Sequence, residues 1–263
     1  LEGRVSRKYL VGLLVAAFGL FASPADASRV TPMVIDITPT GSGSVARIEV
    51  TNTDGRDIPM EIRMYRGVIA EDGQLDLQPA DDQFAAFPPQ VVIPVDGRQV
   101  FRIQFIADAP VTTSEIYYAS ISQLPVQLEE TGNRIQMLTR FNVLVNVVPE
   151  GTSSQPEIDT IRWVERPAPV PADGTPADPE SQPEKGLEVR IVNSGTRYFP
   201  AGRLGWQITG ADTNGADVVE TYGAADMSEK IGMGIVAPAS ARVFFIPMER
   251  ELRDGSVSIS FRR

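Results

Sequence analysis

Histidine and cysteine, the side chains that most often do chemistry near neutral pH, are both absent from the 263 residues. Their absence removes Ser-His-Asp and Cys-His nucleophile sites, disulfides, and His or Cys metal ligands. Lys185 and Lys230 lie in polar, turn-like surroundings, which argues against a Ser-Lys pair. Carboxylate chemistry alone stays open, and the chain is read as a non-enzyme that needs no cofactor. Asp212-Thr213-Asn214-Gly215-Ala216-Asp217 has the acids of a calcium loop. Its glycine stands at the fourth position, however, and no Glu follows at the right distance, so a hairpin turn is expected. Gly41-Ser42-Gly43-Ser44 could cradle a phosphate only ahead of a helix, and VARIEV after it is a strand pattern. A net charge of −10, without clustered Lys and Arg, offers nothing to nucleic acid.

The remaining feature that could act on another molecule is RIQMLTRFNVLVNVVPEG. From Arg134 to Val148 it reads as one strand without proline or glycine. At about 3.3 Å per residue it would run roughly 45 Å, more than twice a typical strand. One face carries Ile135, Met137, Thr139, Phe141, Val143, Val145 and Val147; the other carries Gln136, Arg140, Asn142 and Asn146. Apolar residues at alternate positions on a strand too long for its own sheet invite a strand from elsewhere to pair there.

The surroundings of this strip are almost uniformly β. Val30–Ile37, Val45–Thr51, Met60–Ile69, Gln90–Ile93, Val100–Phe105 and Ile116–Leu124 alternate with period two and are separated by turn sequences such as TDGRD and VDGR. A second set follows at Ile158–Val164, Leu187–Asn193, Leu204–Thr209, Val218–Tyr222, Arg242–Ile246 and Ser256–Phe261. The expected fold is all-β, with two immunoglobulin-like sandwiches spanning residues 28–150 and 151–263. Pro149–Ser153 is the expected boundary. Arg166–Gly186, rich in Pro, Asp and Glu, is expected to form a disordered loop inside the second domain. Residues 1–27 read as a signal peptide: Arg4, Arg7 and Lys8, then an apolar run from Tyr9 to Phe21, then Ala25-Asp26-Ala27.

VARIEVTNTDGRDIPMEIRMYR, FPPQVVIPVDGRQVFRIQF, YYASISQLPV and the long strand together resemble the periplasmic chaperones of the chaperone–usher pilus pathway. LEVRIVNSGTRYFPAGRLGWQI and VAPASARVFFIP extend the resemblance into the second domain, and Pro88-Pro89 with EIRMYR is similar to the archaic, spore-coat-U-like branch. The resemblance implies two immunoglobulin-like domains in a boomerang arrangement. It implies that the long strand completes the fold of a pilin-like subunit by donor-strand complementation, before delivery to an outer-membrane usher. Ile135, Met137, Thr139, Phe141 and Val143 would then fill the subunit's groove, with Val145 and Val147 kept for the protein's own core. Four buried apolar side chains at about 1.5–3 kcal/mol each would contribute roughly 6–12 kcal/mol before ordering costs.

In the classical branch two basic residues in the cleft hold the subunit's terminal carboxylate. Asp36 and Leu144 stand at those positions here, and Tyr118 stands where archaic relatives carry a base. Arg140, Arg29 and Arg102 are the candidate replacements, with Arg102 also readable as a structural residue of its strand. The missing pair leaves a second reading open, a chaperone-like adaptor or structural protein of the cell envelope with a non-pilin partner. A free edge of this kind can also self-associate into a homodimer that caps the strip.

Overall fold

The computed structural model describes residues 28–125, 138–168 and 182–262, so the expected signal peptide and most of the expected loop lie outside the described residues. The first unit comprises β1 (Arg29–Thr31), β2 (Val34–Ile37), β3 (Val45–Thr51), β4 (Ile58–Ile69), β5 (Leu75–Pro79), β6 (Phe84–Phe87), β7 (Gln90–Ile93), β8 (Arg98–Phe105), β9 (Glu115–Gln123) and β10 (Arg140–Val147). Its two sheets have the orders β1-β3-β8-β6 and β2-β10-β9-β4-β5, with β7 also paired to β4. The alternation seen in the sequence is what packs them. Ile48, Val50, Phe101 and Ile103 from one sheet meet Met64, Tyr117, Ile121 and Val145 from the other, and all are almost fully buried.

The second unit comprises β11 (Pro156–Arg166), β12 (Glu184–Asn193), β13 (Phe199–Pro200), β14 (Gly205–Ala211), β15 (Asp217–Tyr222), the helix α1 (Ala224–Ile231), β16 (Ile235–Val236), β17 (Ser240–Pro247) and β18 (Ser258–Arg262). They form the sheets β11-β12-β17, β13-β16 and β15-β14-β18. Trp206 sits fully buried between them, its indole N–H donating to the Ala201 carbonyl at 2.9 Å and its ring set edge-on to Phe244 and Phe261.

Each unit is tied by the same device. At the end of β3 the Asn52 side-chain amide donates to the carbonyls of Arg56, Ile93 and Pro94. At the end of β12 the Asn193 amide donates to those of Arg197, Val236 and Ala237. Both side chains are completely buried, where an unpaired amide would be costly, so each holds three backbone carbonyls against one strand end.

Two of these expectations change and a third, the turn at Asp212–Asp217, is met. Val30–Ile37 is two strands: β1 pairs with β3, and after Pro32, which has no N–H to give a ladder, β2 pairs with β10 in the opposite sheet. Arg166 and Glu184 pair in β11 and β12, so the strands run into both ends of the stretch expected as loop. Asp212 accepts from the N–H groups of Asn214 and Ala216, both at 2.9 Å, making the calcium-like hexapeptide the turn between β14 and β15.

Candidate functional site

β10 pairs antiparallel with β9 along its whole length, Arg140 to Val147 against Ser122 to Glu115. On its other side β2 runs parallel to it over Leu144–Val147 only. Leu144 N–H donates to Met33 and Val148 N–H to Ile37, so even-numbered residues turn their backbone groups toward this edge. Odd-numbered ones face β9, as the bond from Gln123 N–H to the Thr139 carbonyl shows. The backbone groups of Arg140 and Asn142 therefore continue the row beyond β2, with no strand opposite them among the described residues. This is an edge able to accept another strand.

The side chains on this edge divide sooner than the sequence suggested. Val143, like Val145 and Val147, is completely buried in the first unit's own core, and Phe141 is half-buried against it. Val143 is thus corrected from donor to core residue: β10 still lies over its own facing sheet at that point, so its inward face is already covered. Thr139 is exposed and so is Leu138. Ile135 and Met137, the expected tip of the donor strip, lie outside the described residues.

The three candidate arginines are not together. Arg140 lies at the open edge, exposed, its Nε donating to Ser122 Oγ across the ladder at 3.0 Å. Arg29 and Arg102 lie on β1 and β8, in the other sheet, both exposed, Arg102 between the buried Phe101 and Ile103.

Asp36 and Leu144, expected from the resemblance to stand where cations do, join the two units. Asp36 accepts from Asn146 Nδ2 at 2.9 Å, Arg197 Nη2 at 2.8 Å and Tyr198 Oη at 2.8 Å. Burial first, then donation to Asp36, pushes the Tyr198 phenol up to about 12. Leu144 belongs to an apolar cluster with Ile116, Val148, Tyr198 and Ile235 that spans the boundary. Ser114 adds two bonds, accepting from Tyr198 N–H at 2.7 Å and donating its own N–H to the Thr196 carbonyl at 2.8 Å. Beside them the turn between β4 and β5 reaches the second unit: Glu71 pairs with Arg190 Nε at 2.7 Å and its carbonyl accepts from Val243 N–H.

That same turn borders a cavity of about 240 Å³ between the units, lined by Ile69, Gly73, Leu75, Tyr118, Met233 and Arg242 among others. Arg242, on β17, donates from Nη1 to the Ile235 carbonyl at 2.9 Å and lies over the Phe244 ring. Among the described residues its Nε is buried without a hydrogen-bond partner, and no carboxylate lies within ion-pair distance of it. Desolvation pulls its pKa down, and desolvation likewise pushes the facing Tyr118 phenol up. A guanidinium with an unused buried donor, opposite a phenol and open to a cavity, is chemically suited to a carboxylate. The sequence carries a signal for it, since Arg242 is the only charged residue in β17, but an arginine at the start of a strand is ordinary in itself.

No known family model matches the sequence, and no curated protein matches it significantly. Solved structures do match in fold. The class 5 fimbriae chaperone CfaA aligns with a TM-score of 0.51 at 11% identity, covering 90% of this chain and 99% of its own. A chain from a chaperone–tip adhesin complex, described as vital for activation of CFA/I fimbriae biogenesis, aligns with a TM-score of 0.50 at 13% identity, covering 90% and 98%. The chain therefore has the two-domain, immunoglobulin-like fold of fimbrial chaperones.

Proposed function

We propose that this protein is a non-enzymatic periplasmic chaperone for pilus subunits, which lends the edge of β10 to a subunit lacking a strand of its own and passes it to an outer-membrane usher. The open backbone row at Arg140 and Asn142, in a molecule with the fold of fimbrial chaperones, is the observation that carries this reading. An incoming strand beside β10 would take its register from those main-chain groups. Thr139 and the outlying Ile135 and Met137 would supply the side chains that enter the subunit, with Phe141 at the margin of the protein's own core. A subunit's terminal carboxylate would be received by Arg140 at the edge or by Arg242 in the cavity, since Arg29 and Arg102 lie on the other sheet. Export ahead of residue 28 by the expected signal peptide, and capping of the free edge by a second copy, complete the proposal.

Co-export with a subunit encoded beside this protein, one lacking its last strand, tests it. The subunit should accumulate in the periplasm and co-purify only when this protein is present. Equal subunit yield without it would end the chaperone reading. One observation favours the adaptor reading instead: Asp36 and Leu144 are committed to the domain boundary rather than left open for a carboxylate. An adaptor would co-purify with an envelope protein that already has a complete fold.

A further inference from the structure

The outward face of the sheet β1-β3-β8-β6 collects positive charge in an otherwise acidic chain. Pairing sets Arg47 of β3 directly opposite Arg102 of β8, with Phe87 of β6 on its far side. One end of the same face carries Arg29 opposite Thr51, and Thr51 opposite Arg98. All four arginines are exposed, none makes an ion pair among the described residues, and Glu49 is the one acid at a paired position on this face. Like charges directly opposite on a ladder destabilise it, so the fold has no use for Arg47 facing Arg102. Phe87 is 72% exposed and Val100, opposite Glu49, is 41% exposed. Arginine and aromatic residues on an exposed surface are the composition of a protein interface.

We infer that this face docks the acidic surface of a second protein, different from this chain and distinct from whatever pairs at β10. The charge selects the partner's sign. A net charge of −10 on the whole chain would repel an extended polyanion such as nucleic acid or an anionic membrane, while a protein patch need engage only the local arginines, within about one Debye length of 10 Å. Phe87 and Val100 give such a partner apolar surface to cover. Because β10 belongs to the opposite sheet, both sites can be filled at once. This inference stands apart from the function of the β10 edge.

A tetraglutamate peptide, short enough to meet only the local arginines, is the probe, titrated against the full protein by fluorescence anisotropy at low and physiological salt. Binding should weaken with salt, and Arg47→Glu with Arg102→Glu together should weaken it by about tenfold or more. Arg203→Glu, on the second unit, should leave it unchanged. Arg47→Glu alone places opposite charges across β3 and β8, so its melting temperature should hold or rise, separating lost binding from lost folding. The inference is overturned if the double variant binds the peptide as well as the parent does. Preference for duplex DNA or phosphatidylglycerol vesicles over the peptide overturns it too, as does a concentration-dependent dimer that the double variant abolishes.

Discussion

Asp36 and Arg197 are separated by 161 positions in the chain, and their side chains meet at 2.8 Å across the boundary between the two units. Their exposure makes this pair weak by itself. Its setting strengthens it, because the same carboxylate accepts from Tyr198 and from the completely buried Asn146. One acidic side chain thus ties β2 and β10 to the second unit.

Removing that acceptor should loosen the junction. Asp36→Ala leaves three donors without their shared partner and is expected to cost about 1–3 kcal/mol in urea unfolding. Asp36→Arg, which restores the charge sign of the classical pattern, should cost more because it faces Arg197. An Asp36→Arg protein as stable as the parent would show that the junction does not depend on this carboxylate.

The Tyr198 phenol gives the junction a pH limit. Its folded pKa of about 12 lies above the ordinary 10, so its contribution is complete below pH 10 and is lost as pH rises toward 12. Burial also raises Tyr117 and Tyr118, so the whole protein should weaken in alkali. Tyr198→Phe should show a shallower fall between pH 10 and 12 than the parent. Identical alkaline melting curves for the two would remove Tyr198 from the account.

Much of this architecture was legible because period-two alternation is forced wherever a sandwich buries one face of each strand. β3, β4, β8 and β9 fall where Ile, Val, Phe and Tyr alternate with polar residues. The short β5, β6 and α1 escaped because too few residues repeat to establish a period. The break at Pro32 was legible as a lost donor, yet not as a change of sheet, which depends on where β3 and β10 lie. At the candidate site the strip was visible, but its division was not. Alternation alone cannot say whether Val143 faces this protein's core or another's. Arg242 and Tyr118 are 124 residues apart, so only the folded chain brings them to one cavity.

The division of the strip has a direct test. Val143→Asp buries a carboxylate in the first unit's core and should cost several kcal/mol or unfold the protein. Thr139→Asp, at an exposed position, should leave the melting temperature nearly unchanged while impairing subunit co-purification. If Val143→Asp folds normally and loses only the subunit, the side chain faces the partner and the core placement is wrong.

Arg242 separates packing from binding most sharply. An unpaired, half-buried guanidinium is held at a desolvation cost, and replacing such a charge by an apolar side chain of similar length is often neutral or stabilising. Arg242→Met should therefore change stability by no more than about 1 kcal/mol, the loss of the bond to the Ile235 carbonyl being offset by relief of desolvation. If the cavity receives a chain terminus, the same variant should weaken binding of a subunit peptide that ends in a free carboxylate. It should have little effect on the C-terminally amidated peptide, which the parent protein itself should bind less well. Tyr118→Phe should weaken the free-acid peptide less than Arg242→Met, since it removes a neutral donor and leaves the cation. Paired titrations of the acid and amide peptides against parent, Arg242→Met and Tyr118→Phe proteins provide the measurement. A parent protein that does not distinguish acid from amide would leave Arg242 as an interdomain packing residue, whereas acid preference that survives in Arg242→Met would assign the carboxylate to Arg140.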